Sequence, residues 1–163
     1  KNVQRATKVV ASAFTKADPA NEAVYEARAK AYDKRLAALA KWARKEIARI
    51  PRSDRKLATA HAAYTYFCKE FGFQSMPIQG LAREREASSQ YLADVIADLK
   101  EHRVKAVFPE AQANPKVLQE MVRNTGARVG GVLFADFTGN AKATSYEAMF
   151  QHNVKTILAG LAP

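Results

Sequence analysis

The chain has 163 residues, 48% of them hydrophobic and 26% charged, which is enough apolar material for one packed domain with or without an appendage. Cys68 is the single cysteine and excludes an internal disulfide and any multi-cysteine zinc or iron–sulfur site. No apolar run approaches the roughly 18 residues of a membrane helix, and a formal net charge of +10 admits nucleic acid, anionic membranes and acidic partners without choosing among them.

Residues 3–14 read as a helix with Val3, Val9, Val10 and Phe14 toward one side, stopping before Asp18-Pro19. Asp18 is placed to accept a hydrogen bond from a free amide of the next helix, while Pro19 fills the first helical position, where its missing N–H costs nothing. From 19 to 50 there is no Gly and no interior Pro. Tyr25, Tyr32, Leu36, Leu39, Ala43, Ile47 and Ile50 recur at steps of three, four or seven, the stripe of an amphipathic helix. About 30 residues at 1.5 Å each would span roughly 45 Å, more than the small domain that follows is wide. Such a rod is expected to brace a partner or a second lobe; a coiled-coil arm is the lesser reading, because Ala stands where a strong zipper carries Leu or Ile.

Pro51 ends the rod. The polar turn RSDRK leads into KLATA as the first strand, His61 follows, and the helix AAYTYFCKEF is closed by Gly72 as its left-handed cap. FQSMPIQG reads as the second strand, with Pro77 tolerable near its end or at a sheet edge. After the charged loop LAREREAS, Ser88 or Ser89 caps a helix over 90–103. VKAVFPE is the third strand, Asn114-Pro115 opens a helix stopped by Gly126, ARVGGVLFAD is the fourth strand, and residues 146–161 form a last helix with Met149, Val154, Ile157, Leu158 and Leu161 inward. Strands alternating with helices at these spacings predict an α/β fold: a four-stranded parallel sheet covered by helices on both faces through right-handed crossovers, preceded by a long linker helix. The expected division is 1–50 for the two leading helices and 51–163 for the α/β lobe.

Three strands then end on chemistry. The first run stops at His61, the third at Glu110 and the fourth at Asp136. In an open α/β sheet, ligands bind beyond the carboxyl ends of the strands, so one imidazole and two carboxylates are predicted to converge there. Two carboxylate oxygens and an imidazole nitrogen suit Zn²⁺, Mn²⁺ or Fe²⁺, whereas copper(I) would want sulfur. Three ligands are one short of a closed structural zinc site, leaving the fourth to water or to a residue absent from this chain. Each residue alone is a weak signal, since a solitary His is commonly structural and acidic residues commonly end strands and cap helices.

The remaining candidates carry less. Cys68 lies among large apolar neighbours and reads as a buried small hydrophobe. His102 and His152 fall in polar stretches of predicted helices and are expected to be solvated, and Gln79, ending the second strand, is a possible cleft neighbour or a plain loop residue. Gly130-Gly131 lacks a GxGxxG around it, and neither GxxxxGK[ST] nor GxSxG occurs, so nucleotide phosphate binding and a serine nucleophile find no support. A metal-assisted hydrolase would need Glu110 or Asp136 as a base and would remove one carboxylate from the ligand set, so it ranks below simple binding. A basic nucleic-acid-binding module ranks lower again, because Lys and Arg are scattered among acids rather than clustered with stacking aromatics.

Taken together, ADPANEAVYEARAKAYDKRL, IPRSDRKLATAHAAYTYFCKEFGF, MPIQGL, VKAVFPEAQANPKVLQEMVRNTGARVGGVLFAD and YEAMFQHNVKTILAGL resemble, nearly end to end, the second half of the periplasmic zinc- and manganese-binding solute-binding proteins of ABC transporters, the cluster A-I metal receptors. The resemblance implies one lobe of a two-lobed receptor whose lobes are tied by a rigid helix, with one metal ion between them. It implies that His61 matches the family's second histidine ligand, that Glu110 stands where members carry Glu or His, and that Asp136 is the final aspartate. The first histidine ligand belongs to the amino-terminal lobe, and this chain starts too late to contain it. Glu rather than His at 110 leans toward the oxygen-richer, manganese-compatible members, with zinc open and iron allowed. The implied partners are the transported metal ion, the membrane subunit of an ABC permease and the missing lobe, and not nucleic acid. The implied place is periplasmic or otherwise extracytoplasmic, compatible with an anchor through the missing amino terminus, and no catalysis is expected.

Overall fold

A computed structural model describes residues 1–78, 88–109, 115–135 and 143–162. The chain forms two compact units, Lys1–Arg44 and Lys45–Pro163, and the division falls inside the long helix.

In the first unit, α1 (Asn2–Ala17) and the leading part of α2 (Glu22–Ile47) form a helical hairpin around a single 3-10 turn, Pro19–Asn21. Gln4 Nε2 donates to Asp33 Oδ1 at 2.9 Å, and the rings of Phe14 and Tyr25 stack at 5.4 Å. Asp18 does not cap through a backbone amide as its position suggested. Its Oδ2 accepts from Asn21 Nδ2 and from the Tyr25 hydroxyl, both at 2.8 Å, and these bonds hold its carboxyl below the usual range. The α-helical part of the rod is 26 residues, about 39 Å at 1.5 Å per residue rather than 45; its last turn relaxes to Ile50 N–H donating to the Ile47 carbonyl.

The second unit is a four-stranded parallel sheet in the order β2-β1-β3-β4, with β1 Lys56–Thr59, β2 Gln74–Pro77, β3 Ala106–Phe108 and β4 Arg128–Val129. Its helices are α3 (Thr65–Phe71), α4 (Ser89–Glu101), α5 (Pro115–Thr125) and α6 (Tyr146–Leu161). Ile47, Ile50 and Leu57 are fully buried where the chain enters the sheet. There the Arg55 guanidinium donates to the carbonyls of Ile50 and Phe71, tying the entry turn to the end of α3. Several local signals read from the sequence act as expected: Gly72 takes the left-handed cap (φ 72°), Ser88 rather than Ser89 caps α4 through Tyr91 N–H, and Pro77 ends an edge strand. Ser145, not singled out from the sequence, caps α6 through Ala148 N–H.

Side chains alternate across the sheet. Ala58, Met76 and Val107 face one side, where they pack with Leu92 and Leu99 of α4 and Met121 of α5. Phe108 faces the other side, against Gly160 of α6, and the rings of Phe67 and Phe71 on α3 lie beside Phe150 of α6. Helices thus cover both faces. The Phe108 ring is completely buried and occupies the space that a side chain at either glycine would need: an added methyl would come within 2.3 Å of it at Gly130 and 2.7 Å at Gly160. Gly130 therefore serves close packing against the Phe108 ring.

The fourth strand departs from the 127–136 expected from its apolar run. Arg128 N–H donates to the Lys105 carbonyl and Gly130 N–H to Val107, but the next bond comes from Leu133, to Pro109. Three residues advance on this strand while two advance on β3, so one extra residue is accommodated at 131–132, where Gly131 takes φ 102°. Regular pairing stops at Val129, and the chain continues beyond a bulge.

Replacing Gly130 with Ala should lower stability by about 1–3 kcal/mol through overpacking against Phe108, seen as a lower urea midpoint; an unchanged midpoint would show that the ring moves aside. Cys68 is 3% exposed, and burial pushes its thiol up to about 11. An unfolded thiol ionises near 8.5 and so binds fewer protons than the folded one between about pH 8.5 and 11, which makes folding stability fall as pH rises through that window. The Cys68 contribution should reach roughly 2–3 kcal/mol, read as the extra loss in the parent over Cys68→Ala when both proteins are unfolded in urea at pH 7 and pH 11.

Candidate metal centre

The connections decide where a site can form. From β1 the chain crosses by α3 to β2 on one side, then returns by α4 over β1 to β3 and continues by α5 to β4. Crossovers of one hand put helices on opposite faces when the direction of travel reverses, which is the observed separation of α3 from α4 and α5. The reversal lies between β1 and β3, and the crevice beyond the carboxyl ends of the strands at such a reversal is where open α/β sheets take their ligands.

His61 stands at this point. Thr59, the last residue of β1, pairs with Phe108, the last of β3, and His61 follows two residues later with extended backbone (φ −151°, ψ 176°) before the 3-10 turn Ala62–Tyr64. The Thr59 side chain is buried, and its hydroxyl donates to the His61 carbonyl at 2.9 Å. On the other side Ile78 N–H donates to the Thr59 carbonyl at 2.7 Å. The backbone carrying the imidazole is thus held from both sides while the side chain stays half-exposed. A neutral imidazole is a nitrogen ligand for transition metals.

Glu110, Asp136 and Gln79 lie outside the described residues. The chain is followed to Pro109, one residue after β3, and to Ala135, and these segments are bonded to each other through Leu133 N–H and the Pro109 carbonyl at 3.2 Å. Residue 110 is two positions beyond the end of β3, as His61 is two beyond the end of β1.

Elsewhere, the described residues bring together Asp98, Glu101 and His102, with His102 Nδ1 3.0 Å from Asp98 Oδ1. These belong to the end of α4 that leads into β3, hence to the amino ends of the strands, opposite His61. They form an ordinary i, i+4 pair with an acidic neighbour on an exposed helix face. His152 is partly exposed and also makes protein contacts. Its Nε2 lies 3.0 Å from the Val132 carbonyl and its ring 4.7 Å from that of Phe134, so the helix face that carries it turns toward the fourth strand. Beside it, Asn153 is 5% exposed and exchanges two hydrogen bonds with the backbone of Phe134: Phe134 N–H donates to Oδ1 at 3.0 Å and Nδ2 donates to the Phe134 carbonyl at 2.8 Å. Nothing in the helix pattern distinguishes this Asn from a solvated one; only its place between Gln151-His152 and the buried Val154 hints that it faces inward.

Comparison with known proteins bears on this geometry. Residues 1–160 match the family described as zinc-uptake complex component A, periplasmic (ZnuA). The chain is 36% identical over 155 residues to the manganese-binding lipoprotein MntA of Bacillus subtilis, covering 91% of this chain and 51% of that protein. It is 31% identical over 162 residues to the zinc-binding protein TroA of Treponema pallidum, covering 95% and 53%. The iron-binding protein YfeA of Yersinia pestis is 29% identical over 153 residues. The chain thus spans about half the length of the curated relatives it matches. Among solved structures, the periplasmic zinc-binding protein TroA superposes with a TM-score of 0.83 at 29% identity, over 96% of this chain and 59% of that one. A Mn-bound periplasmic metal-binding protein from Candidatus Liberibacter asiaticus superposes at 0.85 with 22% identity, over 98% and 60%, a likeness of fold.

Proposed function

The chain belongs to the periplasmic zinc-uptake component A family, and from that premise we propose that it is the carboxy-terminal lobe and connecting helix of a solute-binding protein that captures a divalent transition metal and passes it to an ABC permease. The ion is cargo. His61 supplies an imidazole nitrogen, and Glu110 and Asp136 supply carboxylate oxygens. A further ligand comes from an amino-terminal lobe outside this chain, so this chain alone binds more weakly than the whole receptor. The observation that carries the reading is the position of His61 at the reversal of strand order, directly beside the strand whose continuation is Glu110.

An oxygen-rich set with one nitrogen favours Mn²⁺ over softer ions, with Zn²⁺ and Fe²⁺ as alternative cargo. The relatives carry names for manganese, zinc and iron binding, which supports the class of ion and leaves the choice to measurement. Those described as periplasmic or as lipoproteins support a location outside the cytoplasmic membrane. No reaction is part of this reading. Release to the permease requires only that the lobes part slightly and water replace the ligands.

Two measurements test it. Titration of this chain with Mn²⁺ and with Zn²⁺ should show binding that His61→Ala, Glu110→Ala and Asp136→Ala each weaken by more than about tenfold, since even residues that only support a ligand cost that much; unaltered affinity in all three variants would end the proposal. In a version carrying both lobes, the 26-residue helix without a breaker should restrict metal-dependent closure to small tilts, because wider closure would bend it. X-ray scattering with and without metal should therefore give nearly the same radius of gyration, and a large compaction would count against a rigid connection.

A further inference from the structure

β4 is the edge strand of the sheet, and past the bulge it is no longer held by regular pairing. Leu133 N–H still points to β3, where it meets the Pro109 carbonyl. Along an extended chain, successive residues turn their backbone groups to opposite sides, so Phe134 presents its N–H and carbonyl away from β3. No strand pairs with β4 on that side among the described residues. Phe134 is only 9% exposed, so its backbone groups need partners other than bulk water.

Asn153 fills that place. A primary amide carries the same donor and acceptor as a peptide group, and its bonds of 3.0 and 2.8 Å to the N–H and carbonyl of Phe134 reproduce the exchange that a neighbouring strand would make. Its helix is anchored by the fully buried Val154, Ile157 and Leu161, and His152, one residue earlier, bonds the Val132 carbonyl at 3.0 Å. A buried Asn is a poor choice for helix stability alone, as it loses hydration and has low helical propensity; the two bonds supply a reason for it.

We infer that Asn153 is a positioning residue for the metal. By serving as the missing strand neighbour, it sets the course of the backbone at Phe134, two residues before Asp136, and so governs how well that carboxylate meets the ion. This inference rests on the reading of Asp136 as a ligand. Past the extra residue the strand end keeps one bond toward β3, from Leu133 N–H to the Pro109 carbonyl, and Asn153 supplies the contact on the other side.

The test is metal affinity of this chain for Mn²⁺ and Zn²⁺, with the ligand-field spectrum of bound Co²⁺ as a report on ligand geometry. Asn153→Ala and Asn153→Asp, the latter placing a carboxylate oxygen against the Phe134 carbonyl, should each weaken binding by roughly 10–100-fold and change the Co²⁺ spectrum. Val154→Ala, in the same helix but outside the amide contact, should lower the urea midpoint and leave affinity and spectrum as in the parent. Wild-type affinity in both Asn153 variants, or a loss in Val154→Ala that tracks stability in the same way, overturns the inference; so does failure of both Asn153 variants to fold, which would assign Asn153 to the core alone. Asp136→Ala measured in parallel separates the two readings: if it binds like the parent, the ligand assignment fails, and if it loses binding while the Asn153 variants do not, only the positioning role fails.

Discussion

The handedness of the strand connections is the constraint on which the arrangement depends. One hand, applied to a chain that goes outward from β1 to β2 and then back over β1 to β3, forces α3 to one face and α4 and α5 to the other. It also leaves the carboxyl ends of β1 and β3 side by side, the position at which open α/β sheets take their ligands. His61 stands at that edge because β1 ends two residues earlier, and its backbone is held by a buried threonine hydroxyl. Burial on both faces of a parallel sheet fixes such a strand end.

The opposite tendency is visible at the edge. β4 has a neighbour on one side, carries a bulge at Gly131 and exposes Val129 and Val132. The fold compensates with α6, whose Gly160 lets the helix approach Phe108 closely and whose Asn153 stands in for a strand. Close approach and amide pairing are linked: a bulkier residue at 160 would lift the helix, and an amide bond of 2.8 Å does not survive such a shift. The lobe thus has a rigid centre defined by the sheet ladder and an edge defined by helix-to-strand contacts.

The excess of Lys and Arg is distributed over helices, and where one is fixed it serves a local link: Lys105 Nζ lies 2.7 Å from Asp54 Oδ2 and holds that carboxyl below its usual range, joining the turn before β1 to the start of β3. The hairpin of the first unit keeps Val9, Val10 and Phe14 more than half exposed, so the sequence pattern that marked them as one apolar side is a pattern of the helix surface.

Much of this was legible in the residues because it is local. The caps at Gly72 and Ser88, the start of α5 at Pro115, the end of α6 at Leu161 and the edge position of Pro77 follow from backbone sterics and hydrogen-bond needs within a few residues. The alternation of strands and helices sufficed for a parallel sheet, and the end of the first apolar run singled out His61. Strand order, the slip at Gly131, the contact of His152 with the Val132 carbonyl and the amide of Asn153 set against Phe134 required the tertiary structure. Each of these depends on which groups far apart in the chain compete for the same space or the same hydrogen bond, and no periodicity along one segment encodes the outcome of that competition.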